Sequence, residues 1–461
     1  MTAAAPLGGT FDQGSFRDPS SRVLWKDDRV LRVLTPQGQA DWQALSASTL
    51  FESWTADGRL IETQVEPATD YNLLSHQRIP FWSYPYEWSF SMLADAARLH
   101  LDLLSEALAQ GLILKDATPY NIQFRGSSPV FVDIGSFRPY QPGEPWLGYG
   151  QFCRLFLYPL LVQAHAGFPF QILLRGSLDG IQPAQARALL RGSKVFRSGV
   201  LLDVVLQARA ERSLTETQTD LRKEITEAGF SAEMISRNLV RLRKVVDGAR
   251  WEPAASAWSD YTDCGHVGTQ RQVKSDLVAA LVAQRRRRLI WDVGANDGYF
   301  AKLTAAHADQ VVALDSDDLV IDRLYQSLRK SGPGNILPLV MNLADPSPGL
   351  GWRGAERRRI EDRDRPDLVL MLAVIHHLVI SANLPLTEVI DWLASLRSEV
   401  IFEWVPPQDP LARRLMVNKR AGEVHDDYNE SSLLMLIDQH FQLGLDTPIE
   451  GRRLLHLIPR S

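Results

Sequence analysis

Leu289-Ile290-Trp291-Asp292-Val293-Gly294-Ala295-Asn296-Asp297-Gly298-Tyr299-Phe300 is an apolar run that breaks into a turn of small and polar residues and then resumes at helical spacing. It reads as a strand, a ligand loop and a helix. Gly294 and Gly298 remove side chains where the backbone turns tightly and approaches a ligand, and the open amides at the next helix's N-terminus can hold a polar group. A nucleotide-like cofactor is the expected occupant. A dinucleotide fingerprint would need glycine at 296 and 299, where this chain has Asn296 and Tyr299, so the spacing is Gly-x-x-x-Gly instead.

Downstream, apolar runs alternate with amphipathic stretches, as in an α/β sheet. Val311 to Leu314 forms a strand ending in Asp315, and Ile336 to Met341 forms another, closed by Asn342-Leu343-Ala344-Asp345-Pro346. Leu368 to Ile375 is nearly unbroken apolar sequence, as a parallel strand covered on both faces requires, and it runs into His376-His377. Glu399 to Val405 is a fifth strand, and the stretches around Phe441 to Leu445 and Arg453 to Ile458 can supply the last two. An acidic residue about 20 positions after a glycine loop is placed to bind ribose hydroxyls; here that is Asp315.

With Asp292 two residues ahead of the first glycine, D-V-G-A-N-D-G resembles the first motif of class I S-adenosylmethionine-dependent methyltransferases, Asn296 standing where a middle glycine is commoner. The resemblance spans Trp251 or so to the C-terminus. It implies a Rossmann-like seven-stranded methyltransferase sheet, with S-adenosyl-L-methionine held by Asp292, Gly294, Asn296, Gly298 and Asp315, and with Asn342 or Asp345 meeting the adenine amino group. The strand ends also carry His376, His377 and Glu403. An imidazole takes a proton near neutral pH, so either histidine is a candidate base or substrate contact, and Glu403 a candidate partner for a cationic or hydroxyl group. Adjacent histidines are poorly spaced for one metal ion, and none is expected.

The 461 residues exceed what one core usually supports, and the 45% apolar content fits globular folding. A net charge of -5 offers no general attraction to nucleic acid or anionic membrane. Nucleic acid is therefore an unlikely partner on composition. Cys153 and Cys264 are far apart and outside any C-x-x-C pattern, so no disulfide framework or structural zinc is indicated. No run approaches the roughly 18 apolar residues of a membrane span, and residues 1–9 lack the basic start of a signal peptide. A soluble, cytoplasmic protein is expected.

Residues 1–20 read as a loose tail, and 21–250 as an α+β unit ahead of the methyltransferase-like part, 251–461. Val30 to Leu34 reads as a strand, Trp42 to Trp54 as helical, Asp57-Gly58 as a hairpin turn, and Leu60 to Val65 as the strand after it. Phe81, Trp82, Tyr84, Tyr86, Trp88 and Phe90 form an aromatic cluster expected in core packing or docking, followed by a helix from Ser89 to Gln110 that Gly111 stops. Leu201 to Gly248 reads as helices, the last capped by Ser231. Arg285 to Arg288 reads as cations at a solvated helix end, and Glu356 to Arg365 as an exposed loop or helix.

Between these lies Lys115-Asp116 and, after four further residues, Asn121, followed by Asp133-Ile134-Gly135. This pattern resembles the catalytic and metal-binding loops of protein kinases and aminoglycoside-phosphotransferase-like kinases. The resemblance implies a catalytic carboxylate's place for Asp116 and metal-ligand places for Asn121 and Asp133. A glycine-rich phosphate loop and a strand lysine in a V-A-I-K-like setting are missing before residue 70, so a kinase-like scaffold without phosphotransfer is expected. Three functions compete: methyl transfer to an unidentified acceptor, a small molecule rather than a macromolecule, with the N-terminal unit shaping or covering the acceptor site; an ATP-dependent phosphotransferase fused to a cofactor-binding domain; and a non-catalytic binding protein. The leader Ser256 to Asp263 and Lys274 are expected to help close the cofactor pocket, Tyr261 among them.

Overall fold

The computed structural model describes residues 8–67, 72–192, 194, 197, 199–206, 231–253, 255–256, 269–417, 419–420 and 423–460. The N-terminal part begins with a five-stranded antiparallel sheet, ordered β1-β2-β3-β5-β4, from β1 (Thr10–Phe11), β2 (Ser21–Lys26), β3 (Arg29–Leu34), β4 (Thr63–Val65) and β5 (Leu73–His76). Two helices, Pro36–Ser46 and Thr49–Ala56, lie between β3 and β4. The Asp57-Gly58 hairpin expectation fails because Asp57 caps the second helix, its N–H donating to Ser53 O and Thr55 O. Leu60 then bridges to Phe131 rather than opening a strand.

The long helix Phe90–Ala109 starts at Ser89, whose Oγ accepts from Met92 N at 3.4 Å. Its apolar residues recur at helical spacing and are buried. Beyond it, β6 (Leu112–Leu114) pairs with β9 (Phe137–Pro139), and β7 (Ile122–Arg125) with β8 (Ser128–Phe131), both antiparallel. These short pairs hold the loop that carries Asp116. Helices Tyr158–Ala166 and Ala232–Gly248 pack nearby, and Ser231 Oγ caps the latter by accepting from Met234 N at 3.2 Å. The rest of the expected 201–248 helical stretch, 207–230, and most of the 256–263 leader lie outside the described residues.

The C-terminal part holds a seven-stranded sheet ordered β12-β11-β10-β13-β14-β16-β15. Its strands are β10 (Arg287–Val293), β11 (Ala308–Asp315), β12 (Ile336–Val340), β13 (Leu368–Met371), β14 (Glu399–Trp404), β15 (Phe441–Ile449) and β16 (Arg452–Pro459). The first five of that order run parallel, and β16 is antiparallel to both neighbours. Leu289, Trp291 and Val293 of β10 join one core cluster and Ile290 the opposite one, which is why Leu289 to Trp291 are apolar on both faces. The chain steps from β10 outward to β12, then returns to β13 on β10's other side. That reversal opens a crevice beyond the strand ends.

The large cluster is shared between the two parts. Phe81 sets its ring edge-on to Trp291 with centroids 6.1 Å apart, and Phe124 does the same to Tyr325 at 6.0 Å. The aromatic stretch at 81–90 thus covers one face of the C-terminal sheet. Two charged segments also depart from expectation. Arg287 and Arg288 lie within β10 rather than at a helix end, and all four arginines of the run hold carboxylates: Arg285 and Arg287 hold Glu399, Arg286 holds Asp309, and Arg288 holds Asp364. The 356–365 segment is not an exposed loop, because Glu356 and Arg363 are buried against the N-terminal part. Arg363 pairs there with Glu87 at 2.6 Å.

Candidate functional site

The loop after β10 sits at the strand reversal, above a cavity of about 530 Å³. Gly294 lines it with φ +74°, and a Cβ there would lie 2.5 Å from Val374 Cγ2. Gly294 N and Ala295 N both donate to Leu314 O, at 2.8 and 3.0 Å, which folds the loop onto the end of β11. Asn296 takes φ +47°, a left-handed conformation that asparagine tolerates better than most residues. Its N–H donates to Asp315 Oδ2 at 3.0 Å, while Asp317 N donates to Oδ1 at 3.0 Å. Gly298 does not itself line the cavity; its missing side chain admits Leu324, whose Cδ1 would meet a Cβ at 2.5 Å.

Two carboxylates make the floor electronegative. Asp292 is buried and its Oδ2 has no partner, and burial pushes its carboxyl up to about 7. Burial also raises Asp315, opposed by the amides of Asp317 and Asn296. Asn342 lines the cavity, its Oδ1 accepting from Ala344 N at 3.0 Å. Asp345 does not. It is turned to the N-terminal part, where Arg175 reaches its Oδ1 at 2.7 Å and its Oδ2 at 3.0 Å, so of the two residues offered for an adenine contact only Asn342 lines the cavity.

At the far end the three catalytic candidates separate. His376 is fully buried outside the cavity lining, both ring nitrogens lack partners, and burial lowers its pKa to about 3. Its ring packs against His377 with centroids 4.0 Å apart and planes tilted by 41°. His377 does line the cavity, and burial lowers its pKa too, which favours the neutral ring. Glu403 lines the cavity with both oxygens engaged: Lys274 Nζ at 2.7 Å from Oε2 and Arg452 Nη1 at 3.0 Å from Oε1. Arg452 also holds Asp409 at 2.7 Å. The cationic groups that Glu403 holds are thus Lys274 and Arg452 of this chain, at the place where the sequence offered it to a cationic or hydroxyl group of a ligand.

Arg271 and Arg452 line the cavity as well, and sequence reasoning missed both. Arg271 lies 3.9 Å over the Tyr299 ring. Arg452 faces the site only because β16 pairs antiparallel with β14, a register that no local pattern marks. Lys274 is where the sequence placed it, and Tyr261 falls outside the described residues. Among the described residues, every one lining this cavity lies between Arg271 and Arg452. No described residue of the N-terminal part lines this cavity, and its Phe81 packs on Trp291 of the sheet.

Asp116, Asn121 and Asp133 do come together, in a separate cavity of about 1380 Å³ where the two parts meet. Arg32 of β3 reaches Asp133 Oδ1 at 2.7 Å, and Lys115 reaches Asp41 at 3.2 Å. Burial and the neighbouring Asp133 raise the Asp116 carboxyl. No helix among the described residues is long and apolar enough to cross a membrane.

Fold and site define a doubly wound α/β protein with a cofactor-type cavity at its strand reversal, fused to an N-terminal α+β part. Over 478 aligned positions covering 100% of this chain and 98% of the relative, it is 33% identical to nodulation protein NoeA of Rhizobium meliloti strain 1021. The chain belongs to the NoeA family. No family model matches it. Among solved structures it is similar to the N-methyltransferase NodS of Bradyrhizobium japonicum WM9, at 12% identity over 42% of this chain and 97% of that one, with a TM-score of 0.31. It is also similar to the magnesium protoporphyrin IX methyltransferase ChlM of Synechocystis PCC 6803 with bound SAM, at 16% identity over 44% of this chain and 89% of that one, with a TM-score of 0.30. At that level the likeness carries no functional weight.

Proposed function

We propose that the chain transfers a methyl group from S-adenosyl-L-methionine to an acceptor nucleophile in the cavity beyond β10 and β13. The observation that carries this reading is the glycine loop folded onto Asp315, with the unpartnered Oδ2 of Asp292 below it. Asp315 keeps lone pairs for ribose hydroxyls, Asp292 and its neighbours suit a ligand bearing ammonium and sulfonium charges, and about 530 Å³ lies within the usual size of a small-molecule site. The bound cofactor would supply the electrophilic methyl group. His377, neutral at the cavity wall, would take the acceptor's proton, while Lys274, Glu403 and Arg452 hold the wall in register. Apolar side chains of Phe300, Leu343, Val374 and Leu378 limit water there.

The acceptor in this reading is a small molecule, given a cavity lined within one part of the chain. Residues 21–250 and 251–461 act as two units, the first a kinase-like scaffold without phosphotransfer. The Arg32–Asp133 ion pair favours that over an ATP-dependent phosphotransferase, because Asp133 already holds a cation. Calorimetric titration with S-adenosylmethionine and S-adenosylhomocysteine, followed by transfer of labelled methyl groups to cell extract, tests the proposal. Absence of binding by both compounds would sink it, and binding without transfer would favour a non-catalytic binding protein.

A further inference from the structure

The cavity between the two parts is larger than the one at the strand reversal and plays no part in methyl transfer. Its walls come from both parts: the β2–β3 sheet and the loops carrying Asp116 and Asn121 on one side, residues 351–364 on the other. Nine cationic and eight acidic side chains line it. Apart from Arg154 and Arg357, every cation there already holds a carboxylate. Arg357 lies 4.2 Å over the Tyr120 ring and donates to Glu356 O. Asp18 is satisfied by the Ser20 and Ser21 hydroxyls, each at 2.6 Å. Those hydroxyls leave its charge in place, so the lining charges without an ion pair are Arg154 and Arg357 against Asp18, Asp116 and Asp179.

Unpaired charges of both signs thus face the space, so a strongly anionic or cationic ligand gains from one set and loses to the other, and a ligand with no net charge avoids that loss. A divalent cation is disfavoured at Asp133, whose Oδ1 holds the Arg32 guanidinium at 2.7 Å. What the cavity offers is hydrogen bonding. Asp116 presents a carboxyl with no ion pair, and Asn121 Nδ2 is buried without an acceptor, which is a destabilising state unless a ligand supplies one. A carboxyl and an amide N–H five residues apart on one loop, both on the cavity lining, suit hydroxyls, each of which both donates and accepts.

We propose that this cavity is a second ligand site, taking an uncharged polyhydroxylated small molecule, a sugar or a nucleoside, through Asp116 and Asn121 without a metal ion. The proposal does not rest on methyl transfer. Its test is the full chain on an array of neutral glycans and, by calorimetric titration, against adenosine and against ATP with magnesium. Expected is saturable binding of neutral glycans or of adenosine that chelator does not alter and that falls about tenfold or more in both Asp116→Asn and Asn121→Leu. Glycan binding marks a sugar as the ligand, and adenosine binding a nucleoside. If Asn121→Leu does not fold, the nearly isosteric Asp116→Asn carries the test alone. Magnesium-dependent ATP binding, no binding of any neutral probe, or undiminished binding in the variants overturns the assignment.

Discussion

Asp315 and Asp292 stand on neighbouring strands and do different work, because one carboxylate is held by amides and the other is buried without a full set of partners. Replacing Asp315 by Ala removes both the anchor of the Asn296 amide and the expected ribose contact. S-adenosylhomocysteine binding should weaken by about 1–3 kcal/mol in calorimetry, the usual result of leaving buried polar partners unmet; unchanged affinity would remove the ribose assignment. Asp292 makes a pH prediction. Its native carboxyl, raised to about 7, keeps its proton at pH values where the unfolded chain has lost it, so its contribution to stability falls as pH climbs from the ordinary carboxylate range to about 7. A ligand ammonium needs the anion, so affinity should rise as pH passes upward through 7, with proton uptake by the buffer. Asp292→Asn should flatten that profile, and a profile equally steep in the variant would assign it elsewhere.

At the scale of elements, the cavity wall is one charge chain: Lys274 from the helix Thr269–Ala283, Glu403 at the end of β14, Arg452 at the start of β16 and Asp409 capping the helix Pro410–Met416. Glu403 is the middle of that chain and is nearly inaccessible to water. Glu403→Gln should lower stability by about 3 kcal/mol in urea unfolding, since removing one member of a buried network strands the others. A general base would behave otherwise, with activity lost and stability kept. The crossover from β12 to β13 is the second informative element. It begins at Met341 to Ala344 in the cofactor cavity and ends in Arg357 to Asp364 at the junction between the parts, so one segment carries residues of both cavities.

Across the whole molecule the two parts share a core, and the buried Arg363–Glu87 pair fixes how they meet, with Arg363 also donating to Trp82 O at 3.1 Å. Arg363→Met alone should reduce stability by about 3–5 kcal/mol, while adding Glu87→Gln should recover much of the loss because no charge is then left buried alone. Denaturant midpoints of the two variants decide this, and equal losses would show that the pair is not coupled. A fragment beginning at Trp251 would expose Trp291 and Tyr325, which Phe81 and Phe124 now cover. It should aggregate or unfold without cooperativity. A soluble, cooperatively folding fragment would mean that the shared core is dispensable.

The strand, the turn from Gly294 to Gly298 and the acidic end of β11 were legible in the sequence because each is a local pattern: apolar runs of strand length, glycines where φ is positive, and a carboxylate at a strand end. The meeting of Asp116, Asn121 and Asp133 was legible for the same reason, their loops being close along the chain. Which polar residue serves which site was not. Asn342 and Asp345 are alike in sequence, and only Arg175, far away along the chain, draws Asp345 outward. His376 and His377 differ by the single step that turns one ring into the core and the other to the cavity. Glu403 looks like a free carboxylate until strand register brings Arg452 beside it, and the charged 356–365 stretch looks solvated until Glu87 appears opposite Arg363. The sequence by itself determined the elements and the glycine loop; the tertiary structure decided the pairing of charges, because Coulomb energy and desolvation depend on neighbours that the chain's order does not specify.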